Sequence, residues 1–268
     1  MREPAWLGSR SLPVAIVLLG AVCSSAALAG LQPHRAAYRL ALDEAHGLES
    51  LESVQGALVI EWRRVCDGWL SRQRLGFVAA SQKGGGFNHD VRFSSWEAAD
   101  GSALSYAVRS FEDEELLEAY RGGASINGAS GGVASFREPE RRDVTLPAGT
   151  VFPGAHLGAI LAAALNGERL ITHQVFDGWG FDALTQVTTA IGEPRRLEAS
   201  GAEAAANRRV WPVSMAYYNL EAGQDMPEFE AAFLLEEQGV LRDLTLDYGD
   251  FALIATLEDL ELLEPPDC

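Results

Sequence analysis

The sequence predicts a fold dominated by β-strands, wrapped round one buried α-helix and locked by a single disulfide. Three observations predict it. Short segments of alternating apolar residues recur along most of the chain. One stretch, Phe152 to Asn166, is instead apolar or small on every side. Two cysteines, Cys66 and Cys268, remain once an N-terminal leader is removed. Gly, Asp and Asn punctuate the strands, which suits a sandwich, a barrel or a curled sheet.

Residues 1–29 carry the three parts of a secretory signal. Arg2 and Arg10 give a positive start, Leu12 to Val22 an apolar run, and Ala27-Leu28-Ala29 small residues ahead of Gly30. The run is too short for a permanent membrane span. Cys23 raises lipidation instead, but Gly20-Ala21-Val22 lacks the leucine and the small residue that a lipoprotein signal places before its cysteine. A cleaved leader and a periplasmic mature domain over 30–268 are therefore expected. No later segment is long and apolar enough to span a bilayer as a helix. In an oxidising compartment Cys66 and Cys268 have one possible intramolecular pairing. Closing so long a loop destabilises the unfolded chain by about 5 kcal/mol at most, and it tethers the tail Glu264-Pro265-Pro266-Asp267-Cys268.

In chain order, Tyr38, Leu40 and Leu42 alternate with Arg39 and smaller residues, as a half-buried strand does. Gly56 to Trp62 and Trp69 to Val78 are strands around the Cys66-Asp67-Gly68 turn, where Asp67-Gly68 is the hairpin signal. Asp90 to Trp96, Leu104 to Phe111 and Gly132 to Arg137 follow, with turns at Asp100-Gly101 and Asn127-Gly128. Glu112 to Tyr120 reads as a short acidic helix. Val210 to Tyr218, Pro227 to Glu236, Val240 to Tyr248 and Phe251 to Leu262 complete the strands, while Ala202 to Asn207 is too brief to assign.

The main helix has Pro153 near its first turn and Gly167 as its stop. Leu157, Ile160, Leu161, Ala164 and Leu165 share one face, and Gly158, Ala159, Ala162 and Ala163 occupy the other. No charge falls between Pro153 and Asn166. Such a helix belongs inside a sheet.

Chemistry is harder to find. With 38 acidic and 21 basic residues, a net charge of −17, the chain repels polyanions, which argues against nucleic-acid binding. Gly128-Ala129-Ser130-Gly131-Gly132 matches the G-x-S-x-G pattern, yet strand-like Val133 to Phe136 follows where a nucleophile elbow needs a helix, so it reads as a loop. Gly84-Gly85-Gly86 lacks the setting of a phosphate cradle. None of His34, His46, His89, His156 and His173 is paired at zinc-ligand spacing; His156, in the helix's first turn, reads as structural. Asp177, Asp182, Asp247 and Asp250 do not form a calcium loop. No metal and no cofactor are expected. Trp62, Trp69, Trp96, Trp179 and Trp211 read as core, with one or two able to line a cavity for a lipid chain or glycan face.

One series of blocks runs through the chain: His34-Arg35-Ala36-Ala37-Tyr38, Cys66-Asp67-Gly68-Trp69, Leu146-Pro147-Ala148-Gly149-Thr150-Val151-Phe152-Pro153 with His156, Phe176-Asp177-Gly178, Leu246-Asp247-Tyr248-Gly249-Asp250-Phe251, and a terminal cysteine. In this order they resemble the EipB-like cell-envelope integrity proteins of Gram-negative bacteria. The resemblance implies one β-spiral, an incompletely closed barrel around a central helix, with a disulfide on Cys66 and Cys268 and a role in envelope maintenance. Gly154-Ala155 departs from the pattern, because a polar capping residue is expected ahead of His156.

The reading that follows is a non-enzymatic periplasmic scaffold or binding protein that supports envelope integrity. It would bind a lipid, a peptidoglycan-related ligand or a partner protein. The pocket candidates are Phe152, His156, Leu157, Ile160 and Leu161 on the helix, with Trp69. The alternative is an envelope hydrolase using paired carboxylates. Two carboxyls in one cleft with pKa values driven apart would favour the enzyme. The oligomeric state is not specified by these features.

Overall fold

The computed structural model describes residues 30–45, 51–197, 208–219 and 226–268. The expected leader, His46 and the Ala202–Asn207 segment lie outside them. Sixteen strands and one α-helix occur among the described residues. They are β1 (His34–Ala45), β2 (Leu51–Val65), β3 (Gly68–Ser81), β4 (Gly86–Ala98), β5 (Ala103–Glu112), β6 (Glu115–Asn127), β7 (Gly131–Glu138), β8 (Arg142–Leu146) and β9 (Thr150–Val151). After α1 (Pro153–Asn166) come β10 (Leu170–Phe176), β11 (Leu184–Ile191), β12 (Arg195–Arg196), β13 (Arg209–Asn219), β14 (Phe229–Glu236), β15 (Leu241–Asp247) and β16 (Phe251–Leu262).

All the strands join one sheet, ordered β8-β7-β6-β5-β4-β3-β2-β1-β16-β15-β14-β13-β11-β10-β9, with β12 beside β13. The first strand lies between the second and the last, Leu40 pairing with Gly56 on one side and Ala255 on the other. The two edges of the sheet, β8 and β9, are joined by Pro147, Ala148 and Gly149. Four residue steps span at most about 14 Å. The sheet must therefore curl almost full circle, giving a nearly closed barrel whose edge strands do not pair with each other.

Three local readings are corrected. Glu112 to Tyr120 is a hairpin rather than a helix. Asp113 and Glu114 take positive φ of 48° and 70°, the twist that a two-residue hairpin turn requires. Asp113 is secured there by reciprocal bonds with Asn88, each 2.9 Å, and that neighbour in β4 overrides local helix propensity. The Cys66-Asp67-Gly68 turn is one residue shorter than read. Val65 pairs with Gly68, so Cys66 and Asp67 form the turn and Gly68 opens β3. Strands β8, β9, β10, β11 and β12 went unread.

The helix runs where the pattern put it, ending at Gly167 in the left-handed conformation (φ 80°) with its N–H on the Ala163 and Ala164 carbonyls. It starts beside β4, passes Gly30 at Leu161, and hands over to β10, so it lies across the barrel end that carries the β2–β3 turn. Ile160, Leu161, Ala163 and Ala164 belong, with Trp62, Trp69, Ile191, Trp211 and Leu235, to the larger of two core clusters. Each large aliphatic buried there contributes about 1.5–3 kcal/mol. The smaller cluster gathers Leu104, Tyr106, Phe136, Leu146, Phe152 and Phe176 near the seam. Burial is not complete all round: Ala162 is exposed and Leu165 is 49% exposed at the last turn.

Candidate functional site

The disulfide joins Cys66 to Cys268 across a sequence separation of 202, with Cα atoms 5.6 Å apart. The Cys66-Asp67 turn is bonded to the end of β4 through the Ala99 N–H on the Asp67 carbonyl (3.0 Å) and Trp96 Nε1 on Asp67 Oδ1 (3.4 Å). The tail is pinned as well: the Leu263 N–H reaches the Pro33 carbonyl at 2.8 Å, and Gln32 Nε2 donates to the Leu263 carbonyl at 3.0 Å.

Next to this clamp, Glu97 points inward from β4, 3% exposed. Its two carboxyl oxygens accept the backbone N–H groups of Gly154 and Ala155, each at 2.8 Å. This answers the missing cap. Phe152, at the N-cap position, has no side-chain acceptor to offer, so a carboxylate from a distant strand satisfies the first turn. Gly154 is required by the arrangement, because a β-carbon there would sit 2.7 Å from Glu97 Oε2. Burial pushes the Glu97 carboxyl up to about 7, while the two N–H bonds pull it back down.

One turn along, His156 Nδ1 lies 3.1 Å from His173 Nδ1 of β10, with the rings nearly perpendicular. Burial lowers His156 to about 4, and the charge of His173 adds to this; burial lowers His173 too. Both rings are neutral at pH 7, so one N–H donates to the lone pair of the other. His156 Nε2 is buried with no hydrogen-bond partner among the described residues. Among the described residues, no third His, Cys, Asp or Glu joins the two in a metal-binding group.

The pocket candidates from the sequence divide. Phe152, His156, Ile160, Leu161 and Trp69 are buried, between 0% and 5% exposed, and Leu157 is half-buried against the larger cluster. Trp69 meets Trp62 edge-on at 6.2 Å, and its Nε1 finds no acceptor among the described residues. These residues form packed contacts between helix and wall, and His156 alone among them brings chemistry. A depression of about 630 Å³ lies elsewhere, beside β7 and β8, and none of the six lines it.

Two carboxyls are raised, and both are in use. Burial moves Asp177 up to about 6, and its Oδ1 accepts the Trp179 N–H at 2.9 Å. Neither Glu97 nor Asp177 feels the other's charge. Ser130 ends a single 3-10 turn between the antiparallel strands β6 and β7, without the strand-to-helix elbow of a nucleophile.

Glu97, His173 and the fully buried Glu236 escaped sequence reasoning. Their partners lie in other elements, with no spacing to betray them: Glu97 is 57 residues from Gly154, and His173 is 17 from His156.

Comparison with known proteins agrees with this geometry. The model of the EipB-like family matches residues 25–264. The cell envelope integrity protein EipB of Brucella abortus (strain 2308) is 28% identical over 247 residues, covering 90% of this chain and 88% of its own. The crystal structure of a β-barrel-like protein of a domain of unknown function, also from Brucella abortus, superposes with a TM-score of 0.80 at 27% identity, over 87% of this chain and 99% of that one. By a family match that spans nearly its whole described length, and by a shared barrel, this chain belongs to the EipB-like family.

Proposed function

We propose that the protein is a non-enzymatic binding or scaffold protein of the periplasm that supports the integrity of the cell envelope. The observation that carries this reading is similarity along almost the full length to a protein whose name states that role. The disulfide supports an oxidising location, where such a bond persists. The non-enzymatic part rests on how the raised carboxyls are employed: Glu97 caps a helix and Asp177 closes a turn. A hydrolytic pair needs two carboxyls facing one substrate bond. As a binder, the protein would serve an envelope lipid, a peptidoglycan-related ligand or a partner protein.

Deleting the gene in its host and challenging the cells with detergent and cell-wall antibiotics tests the reading. Sensitivity that is restored by the full chain, but not by a version starting at residue 30 and confined to the cytoplasm, is the expected result. Cells as resistant as the parent would overturn it.

A further inference from the structure

We propose that the shared end of β7 and β8 binds a phosphate-bearing ligand, either a phosphate ester in solution or the headgroup of a single lipid molecule. The depression there, about 630 Å³, is lined by Ser135, Phe136, Arg137, Arg141, Arg142 and Asp143. It is shallow and largely open to solvent, so it suits a small polar headgroup better than an enclosed apolar ligand. In a chain so rich in acids, arginines commonly find a carboxylate: Arg39, Arg74, Arg92 and Arg169 each lie within 3 Å of one. Arg137 and Arg141 are exposed and make no ion pair within 4 Å among the described residues. Arg142 lies over the Phe181 ring, 4.5 Å from its centre, a stack that fixes the guanidinium plane and keeps its N–H edge for an acceptor. Glu138, beside Arg137, is turned to Arg121 at 3.9 Å, and Glu140 is exposed in the turn outside the lining.

Three arginines and one aspartate are among the six lining residues, an excess of basic over acidic residues in the lining itself. A phosphate monoester carries about −1.5 to −2 at neutral pH and matches that excess, and guanidinium forks bind it in bidentate fashion. The backbone contributes too. Among the described residues β8 ends the sheet and pairs only with β7, so its outer row of N–H groups has no strand there to donate to. The overall charge of −17 narrows the ligand further. A broad anionic membrane face would meet that field over a wide area, whereas a single phosphate in the depression meets mainly the arginines. The proposal concerns the folded protein alone and does not depend on the envelope reading.

The test is calorimetric titration of the purified, oxidised protein at low ionic strength. The probes are sn-glycerol 3-phosphate and dihexanoyl phosphatidic acid below its micelle concentration, with dihexanoyl phosphatidylcholine as the blank. The expected result is binding of at least one phosphate probe, weakened about tenfold or more in R137E/R141E and within about twofold of wild type in R109E. Should the double variant melt differently from wild type, Arg141→Gln replaces it, with the same direction of effect expected. Equal affinity for both probes assigns a free phosphate ester; about tenfold preference for the short-chain lipid assigns a lipid headgroup. Failure of both probes to bind, or binding untouched by the arginine variants, overturns the site. Envelope sensitivity of the deleted strain bears on neither outcome.

Discussion

Glu97 and Glu236 are both withdrawn from solvent, and the fold answers their charges in different ways. Glu236, 0% exposed in β14, meets two guanidiniums: Arg208 Nη1 at 3.0 Å and Arg242 on its other oxygen. Glu97, 3% exposed in β4, meets two backbone N–H groups and no cation. A full opposite charge can balance a buried carboxylate, whereas the partial charges of a helix start only partly replace water. The first corner is a fixed electrostatic joint between β14 and β15. The second is a joint whose proton occupancy changes within the physiological pH range.

The helix end also has a covalent restraint, which separates the two regions further. Replacing Cys268 with Ser should give the largest effect, up to about 5 kcal/mol for a loop this long, read as a lower urea midpoint. An unchanged midpoint would mean the tail is held by the Leu263 and Gln32 bonds alone. Next in size, Glu236→Ala should cost about 3–5 kcal/mol, because Arg242, with 12% of its side chain exposed, loses the buried carboxylate that Glu236 gives it. A loss below about 1 kcal/mol would show that water reaches the arginines and would erase the contrast with Glu97.

The pH dependence of the helix end sharpens the comparison. The Glu97 carboxyl is raised from 4.5 to about 7 by folding, so the folded state holds its proton more tightly. Its contribution to stability is fully present below pH 4.5 and is lost as pH rises through 7. His156 runs the other way: lowered from 6.5 to about 4, its contribution is present above pH 6.5 and is lost as pH falls through 4. Between pH 4.5 and 6.5 the two slopes oppose each other. Glu97→Gln removes one of them, so its stability should fall relative to wild type by about 2–3 kcal/mol on acidification across that window. Urea melts at pH 4.5 and 6.5 read the difference directly. Parallel profiles for the two proteins would mean that Glu97 is not the titrating group.

What could be read from the sequence follows from where each signal resides. Helix α1 was legible because its apolar spacing and its Pro153 and Gly167 boundaries are local. The Cys66–Cys268 bond was legible because, with the expected leader set aside, the chain offers one pairing. The β5–β6 hairpin was not, since Glu112-Asp113-Glu114-Glu115 favours a helix until Asn88 holds Asp113 in the turn. Strand β10 mixes Thr172, His173 and Gln174 with its apolar residues, and its place is set by β11 rather than by clean alternation. Glu97, one acid among many, becomes informative only when the sheet carries it to the start of the helix.

Gly154 provides the finest test of that joint, because two effects compete there. Exchanging a helical glycine for alanine ordinarily stabilises by about 1 kcal/mol, through lost freedom in the unfolded chain. Here the new methyl would lie 2.7 Å from Glu97 Oε2 and 3.1 Å from its carboxyl carbon. Overpacking of that kind costs about 1–3 kcal/mol. Glu97 is itself fixed by the N–H groups it caps and cannot retreat without releasing them. The clash should therefore win, with a net loss of about 1–2 kcal/mol for Gly154→Ala. In the Glu97→Ala background the obstacle is gone, so the same exchange should turn neutral or stabilising. A double-mutant cycle in urea measures this coupling. Strict additivity would mean that the carboxylate does not occupy the space above Gly154, and the distant cap would lose its structural basis.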